Sequence, residues 1–566
     1  MRRALISAAC AVTTVTALAL PVSAAPNPVN TKGQVSEYVV LYKEGVSPGT
    51  AHRAVKNAGG SIVRENRDVG VATVRSDNKE FIRAVMGERA LAGAAHNRII
   101  GESPKVQRTA DVEGTHGTTK PASPGNAPSK GAEPLAGKQW DMKQIHATED
   151  GSYKKEPGDR RVLVGVLDTG VDGDHPDIAP NFNRRLSKNF TTDIPTDANG
   201  GEVDGPCEFT SCVDPNDWDD RGHGTHVAST IASPRNGIGI GGVAPNVSIV
   251  NIRVGQDSGN FFLQPTVDGL TYAAKNGISV VNMSYYVDPW LWNCGDNPAD
   301  SPEEQLEQRT IITAVQRALD FAHERDVTLI SAAGNELVDY TKTNTDDTSP
   351  NFASLPGEKP HERTIPASCK SMPTEGEHVI AVSATGQSTR KSYYSSLGNG
   401  YIAVAAPGGD KVDTPDQRPN DDAGVWAAYP ERLAKVRGEL NPDGTPKVPY
   451  VIRDCQGGKC AYYQSLQGTS MASPHAVGVA ALVISKYGRP GRGGALTLDP
   501  KVVESALRGT ATPKGCPSPG TVEYVWYTQK DGKWVKNTST QTCEGSNEQN
   551  GFFGNGIVDA LNAVSG

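Results

Sequence analysis

From about residue 138 onward, apolar runs alternate with stretches of helical periodicity. The runs at 162–167, 247–254, 278–283, 327–333 and 379–383 have the near-continuous apolar character of strands buried on both faces. Helical stretches fall between them, including 267–276 and 311–325. This alternation predicts an α/β fold, a mostly parallel sheet with helices on both faces. Residues 408–465 are polar and irregular and read as a surface insertion, and no internal repeat is visible.

The N-terminal part has a different rhythm. Strands are expected at 37–42 and 69–74, helices at 48–58 and 81–94, and a turn at 58–61. That order is compatible with a small α+β, ferredoxin-like βαββαβ unit. Residues 103–137 then lose periodicity and are rich in Pro, Gly, Ser, Thr and Lys, the composition of an exposed linker that is easily cut. At the very start, Arg2 and Arg3 precede a mostly apolar stretch over 4–20, with small residues at Val22 and Ala24. This predicts a signal peptide cleaved after Ala24. The expected divisions are 1–24 signal, 25–102 α+β module, 103–137 linker and 138–566 α/β domain. Beyond the signal no run is long and apolar enough for a membrane span, so an extracellular, membrane-free, monomeric product is expected.

Composition narrows the classes. The chain has 566 residues, 37% hydrophobic and 21% charged, with 61 Gly and 39 Pro, enough for a large core with many turns. A net charge of −8 argues against a nucleic-acid binder. Cys10 falls in the signal, leaving Cys207, Cys212, Cys294, Cys369, Cys455, Cys460, Cys516 and Cys543. An even set in an exported chain favours disulfides. Sequence proximity suggests Cys207–Cys212, Cys455–Cys460 and Cys516–Cys543, leaving Cys294–Cys369. The spacings do not suit zinc.

Four segments carry the chemistry. Asp168-Thr-Gly-Val-Asp follows one buried strand and Ser331-Ala-Ala-Gly-Asn335 follows another; Gly222-His-Gly-Thr-His lies between them, and Gly468-Thr-Ser-Met opens an apolar helix. Sites in open α/β sheets lie beyond the carboxyl ends of the strands, and Ser470 sits at a helix start, where free N–H groups converge. An acid, a histidine, an amide and a serine in these settings fit nucleophilic catalysis. Zinc at His223 and His226 is disfavoured, with no glutamate between them; His226 reads as structural.

These segments, and their Asp, His, Ser order, resemble the signatures of subtilisin-like serine proteases over roughly residues 138–566. Residues 36–100 more faintly resemble the family's inhibitory propeptide. The resemblance implies a secreted endopeptidase matured by loss of that propeptide. Ser470 would be the nucleophile, His223 the base, Asp168 its orienting acid and Asn335 an oxyanion donor. No cofactor is needed for this chemistry. Peptide substrates would lie along Ser258, Gly259, Ser284, Tyr285 and Tyr286, with Ala332, Ala333 and Gly334 forming a pocket wall. The Tyr285-Tyr286 pair replaces a common Leu-Gly pair, and the long connection from Ser284 to Asn335, holding Cys294, Glu303 and Glu304, could reshape the cleft further. A structural calcium is implied at Asp177, Pro234, Asn236, Ile238 and Ile240. An exopeptidase, or a binding protein on an inactive protease fold, are the other readings.

Overall fold

The computed structural model describes residues 35–98, 112–117, 132–353, 355–530 and 532–565. The expected signal peptide and most of the expected linker lie outside the described residues.

In the N-terminal module, β1 (Ser36–Tyr42), α1 (Pro48–Asn57), β2 (Gly60–Asn66), β3 (Val71–Ser76), α2 (Phe81–Met86) and β4 (Leu91–Arg98) follow the βαββαβ order. The sheet is antiparallel, ordered β2–β3–β1–β4. Successive strand residues face opposite sides. Tyr38, Val40 and Tyr42 pack on the module's own helices with Val55 and Phe81. Val39 and Leu41 join a core shared with Ile311 and Ala314 of the α/β domain. The helix expected over 81–94 stops at Met86, and Leu91–Arg98 is a strand. The α/β domain decides this: a Cβ on Gly93 would come 2.1 Å from Thr310 Oγ1. Packing of this small-residue strand against the domain outweighs the helix propensity of its alanines.

The α/β domain contains β5 (Leu163–Asp168), β6 (Lys188–Asn189), α3 (His223–Ala232), β7 (Ser248–Arg253), α4 (Leu263–Lys275), β8 (Val280–Met283), α5 (Pro302–His323), β9 (Thr328–Ala332), β10 (Val379–Thr385), β11 (Val404–Pro407) and, after an insertion, α6 (Thr469–Tyr487). The seven strands pair in parallel in the order β11–β10–β9–β8–β5–β7–β6. One core packs α3 and α6 against the sheet; the other packs α4 and α5. The fold is therefore the expected α/β arrangement.

Two expectations change. Glu303 and Glu304 do not reshape the cleft. They open α5, where Ser301 and Glu304 form a capping box and Glu303 pairs with Arg83 of the module. Residues 408–465 are not an irregular loop. β12 (Val425–Ala428), β13 (Val451–Gln456) and β14 (Lys459–Leu466) form an antiparallel sheet ordered β12–β14–β13. Trp426 and Tyr463 bury its inner face against Ile238 and Ile240. The cysteines join as Cys207–Cys212, Cys294–Cys369, Cys455–Cys460 and Cys516–Cys543.

Candidate active site

β5 delivers Asp168 to the carboxyl edge of the sheet, fully buried. Its Oδ1 accepts the Thr169 N–H at 2.8 Å and lies 2.7 Å from His223 Nδ1. His223 opens α3, and Gly224 permits this approach: a Cβ there would sit 2.1 Å from the Gly170 carbonyl. The turn before His223 is held by Asp219, whose carboxylate accepts from Gly222 N, Thr225 N and Thr169 Oγ1. Sequence reasoning missed Asp219; its signal was an acid four residues before the histidine.

Ser470 is the second residue of α6. Asn335 follows β9, and its Oδ1 accepts from Thr469 N and Thr469 Oγ1, both at 2.9 Å. This leaves Nδ2 facing the cleft. Ser284 Oγ donates to the Ser470 carbonyl at 3.1 Å. One cavity collects His223, Asn335 and Ser470 together with Gly259, Ser284, Tyr285, Tyr286, Ala332 and Gly334. Two expected wall residues fall outside it. The Ser258 N–H turns to Asp204 Oδ1 at 2.9 Å. Ala333 spends its N–H on Val382 and its carbonyl on the Tyr340 hydroxyl. Tyr285 stacks on Phe261 with ring centroids 4.2 Å apart, and the Tyr286 hydroxyl accepts from Asn351. Glu336, unremarked in the sequence, adds a carboxylate to the same cavity, near Gly334.

The cavity also holds Glu113, from the segment expected to be a featureless linker. Its Oε2 lies 3.4 Å from His223 Nε2, and the Asn335 amide donates to its Oε1 at 3.4 Å. The Ser470 side chain is near enough to favour its charged form. A Cβ on Gly468 would lie 3.0 Å from Glu113 Cγ. The flanking residues are anchored as well. Gln467 donates to the Val112 carbonyl at 2.9 Å and Lys411 to the Thr115 carbonyl at 2.7 Å. His116 stacks on Tyr450 at 3.6 Å, and Gly117 N–H donates to Asp421. Burial alone would lower the His223 pKa, but the charges of Asp168 and Glu113 outweigh it and hold it well above the ordinary value. Burial would raise Glu113, yet His223 keeps its carboxyl below the usual range. Nothing in the linker's composition signals this role.

His226 is buried, with Nε2 on the Val425 carbonyl at 3.0 Å, a structural position. The loop near Asp177 is where the resemblance implied a calcium. Donors converge there: the Ile240 N–H and the Tyr463 hydroxyl each reach Asp177 Oδ2 at 3.1 Å. Asn236 Oδ1 accepts from Ile238 N–H, and the N–H groups of Gly237 and Gly239 donate to Glu133 and Asp454. Asp177 Oδ1 stays buried with no hydrogen-bond partner, an inward-facing oxygen of the kind a calcium shell needs, so the expected set of Asp177, Pro234, Asn236, Ile238 and Ile240 is only partly engaged by the protein itself.

Residues 159–556 match the Subtilase family, Peptidase_S8. Subtilisin DY of Bacillus licheniformis is 28% identical over 354 residues, covering 62% of this chain and 85% of that protein. Fervidolysin of Fervidobacterium pennivorans is 25% identical over 454 residues, 77% of this chain and 50% of that protein. In fold, the chain is similar to the epidermin leader peptide processing serine protease of Staphylococcus aureus, with a TM-score of 0.59, 20% identity and coverage of 94% and 98% of the two chains. With its α/β core matched across 159–556 and its acid–histidine pair at the carboxyl edge of the sheet, the chain belongs to the subtilase family of serine proteases.

Proposed function

We propose that this protein is a secreted endopeptidase that cleaves peptide bonds through an acyl-enzyme on Ser470 and is made as a self-inhibited precursor. The observation that carries the reading is His223, with Nδ1 on the buried Asp168 and Nε2 facing the cavity of Ser470 and Asn335. Asp168 fixes the ring so that Nε2 is the proton acceptor. Ser470 Oγ attacks the substrate carbonyl and its proton passes to Nε2. The Asn335 amide, oriented by Thr469, stabilises the resulting oxyanion. His223 then protonates the leaving amine, and water repeats the sequence on the acyl-enzyme.

Residues 25–102 act as the inhibitory propeptide, and the linker is cut on maturation. Support comes from the module's docking on α4 and α5 and from residues 112–117 in the cleft. That segment has chain on both sides of Glu113, which favours an open-ended cleft and an endopeptidase. Four disulfides suit an oxidising destination, and among the described residues no helix is long and apolar enough to cross a membrane.

The test is expression of Ser470→Ala in a protease-free host. The expected product retains residues 25–137 and does not react with a fluorophosphonate probe, whereas the unaltered chain is shortened and labelled. Normal shortening of the variant would exclude self-maturation, and an unlabelled Ser470 in the shortened wild type would exclude the enzyme reading.

A further inference from the structure

A second concentration of charge lies away from Ser470, between the loop closed by Cys207–Cys212 and the turn after β7. Asp193, Glu208 and Asp257 each present a carboxylate oxygen within 4.8 Å of the others'. Glu208 also lies within that distance of oxygens from Asp214 and Asp220. Asp193 is 6% exposed, and neither of its carboxylate oxygens has a hydrogen-bond partner. The neighbours repeat the theme. Asp214 and Asp257 each give one oxygen to the fully buried Arg253 and leave the other buried and unpartnered. Asp220 does the same with Arg432.

Arg432 balances Asp220, so among the described residues the carboxylates of Asp193, Glu208, Asp214 and Asp257 face one guanidinium, that of Arg253. Buried oxygens without donors are rare and need a partner that the protein does not supply. A positive partner that binds oxygen would satisfy all of these atoms at once.

We propose that Asp193, Glu208 and Asp257 hold a calcium ion that ties the disulfide-closed loop to the rim of the substrate cleft. Calcium takes oxygen ligands at about 2.3–2.6 Å, so two of its ligands can stand up to about 5 Å apart, and the observed spacing fits. Magnesium requires oxygens drawn in to about 2.1 Å in strict octahedral order, a poorer match to an open triad. The elements joined explain why a cation matters here. Asp257 lies two residues before Gly259, which lines the cavity. Asp193 hydrogen-bonds through its N–H to the Cys212 carbonyl at 2.8 Å, and Glu208 lies inside the ring closed by that disulfide. The ion would hold the cleft rim against a loop that otherwise repels it. The site is separate from the Asp177 loop.

The test uses the full chain carrying Ser470→Ala, so that it stays intact, stripped with chelator and titrated with calcium chloride by calorimetry and thermal unfolding. Binding at about 10⁻⁴ M or tighter, with a rise in unfolding temperature that magnesium does not reproduce, is expected. Asp193→Asn should abolish this response, and Glu208→Gln, at an exposed position where folding is not at stake, should weaken binding at least tenfold. Asp177→Asn should leave the calcium response in place. A wild-type chain indifferent to calcium, or a response that survives both Asp193→Asn and Glu208→Gln, overturns the proposal. The serine-labelling test of the proposed function is independent of either result.

Discussion

Glu336 puts a carboxylate on the wall of the cavity that holds Ser470, beside the Gly334 backbone. Desolvation by the cavity wall pushes its carboxyl up to about 7, so above that pH a basic substrate side chain entering there meets a negative charge, and an apolar one gains nothing from it. The residue still reaches solvent, so above that pH its contribution is taken as that of an exposed ion pair, about 0.2–1 kcal/mol. Glu336→Gln should therefore lower kcat/KM for lysine- or arginine-containing peptides about two- to fivefold and leave leucine peptides unchanged. The ratio of the two rates, in which effects on Ser470 and His223 cancel, is the measurement. An unchanged ratio would remove Glu336 from substrate selection. At this scale the sequence is most readable where residue type and neighbours are both constrained. Asp168, His223, Asn335 and Ser470 each sit beside glycines or a buried strand, and all stand where those surroundings predict. Glu336 was missed because a glutamate after Asn335 looks like any surface acid until the cavity wall is known. Glu113 was missed because its importance comes entirely from what lies opposite it.

The segment 112–117 shows the same limit for an element. Its composition reads as linker, yet Gln467, Lys411, Tyr450 and Asp421 hold it in the cleft. The strands of the parallel sheet were legible because burial on both faces leaves an unbroken apolar run. The boundary between α2 and β4 was not, because a strand of small residues there depends on α5 lying against it. The β12–β14–β13 sheet was hidden because its apolar face is made by a few aromatic residues spaced among polar ones. The cleft segment also has a pH window. His223 is held above its ordinary value, so its contribution to the latch is full below about pH 6.5 and is lost as pH rises through the raised value. Glu113 is held below its ordinary value, so its contribution is full above about 4.3 and is lost as pH falls through the lowered one. The latch is tightest between these limits. Glu113→Gln removes one of the two charges acting on His223, and a hydrogen bond between charged groups is worth about 1.5–3 kcal/mol. Purified precursor carrying this substitution should mature at least about tenfold faster at pH 6–7, with the difference narrowing at alkaline pH. Equal lag times for variant and wild type across that range would mean the carboxylate does not restrain the site.

Across the whole molecule, the triad depends on distant chain segments arriving at one edge of one sheet, and the disulfides differ in how much of that convergence they secure. Cys207–Cys212 and Cys455–Cys460 each close a separation of 5 residues. Cys294–Cys369 spans 75, and the chain between them includes α5, on which the module docks, and β9 with Asn335. Constraining the unfolded chain over that length is worth about 4.5 kcal/mol in the loop-entropy account, against about 2 kcal/mol for a five-residue loop. Surroundings act in the same direction. Cys294 and Cys369 are 1% and 5% exposed, so opening their bond also places two thiols in a packed cluster with Leu291, Trp292 and Ile365, whereas Cys455 and Cys460 face solvent at the end of a hairpin. In the inactive Ser470→Ala background, which removes self-digestion from the readout, the double substitution Cys294→Ser/Cys369→Ser should lower the unfolding temperature by several degrees more than Cys455→Ser/Cys460→Ser. It should also loosen the module, because α5 is that module's platform, so limited proteolysis near residues 99–111 should quicken in the first variant and not in the second. Equal thermal shifts would mean that the separation closed by Cys294–Cys369 does not limit the unfolded chain as its length requires, and would move the source of rigidity to the shared core of β1, β3 and α5.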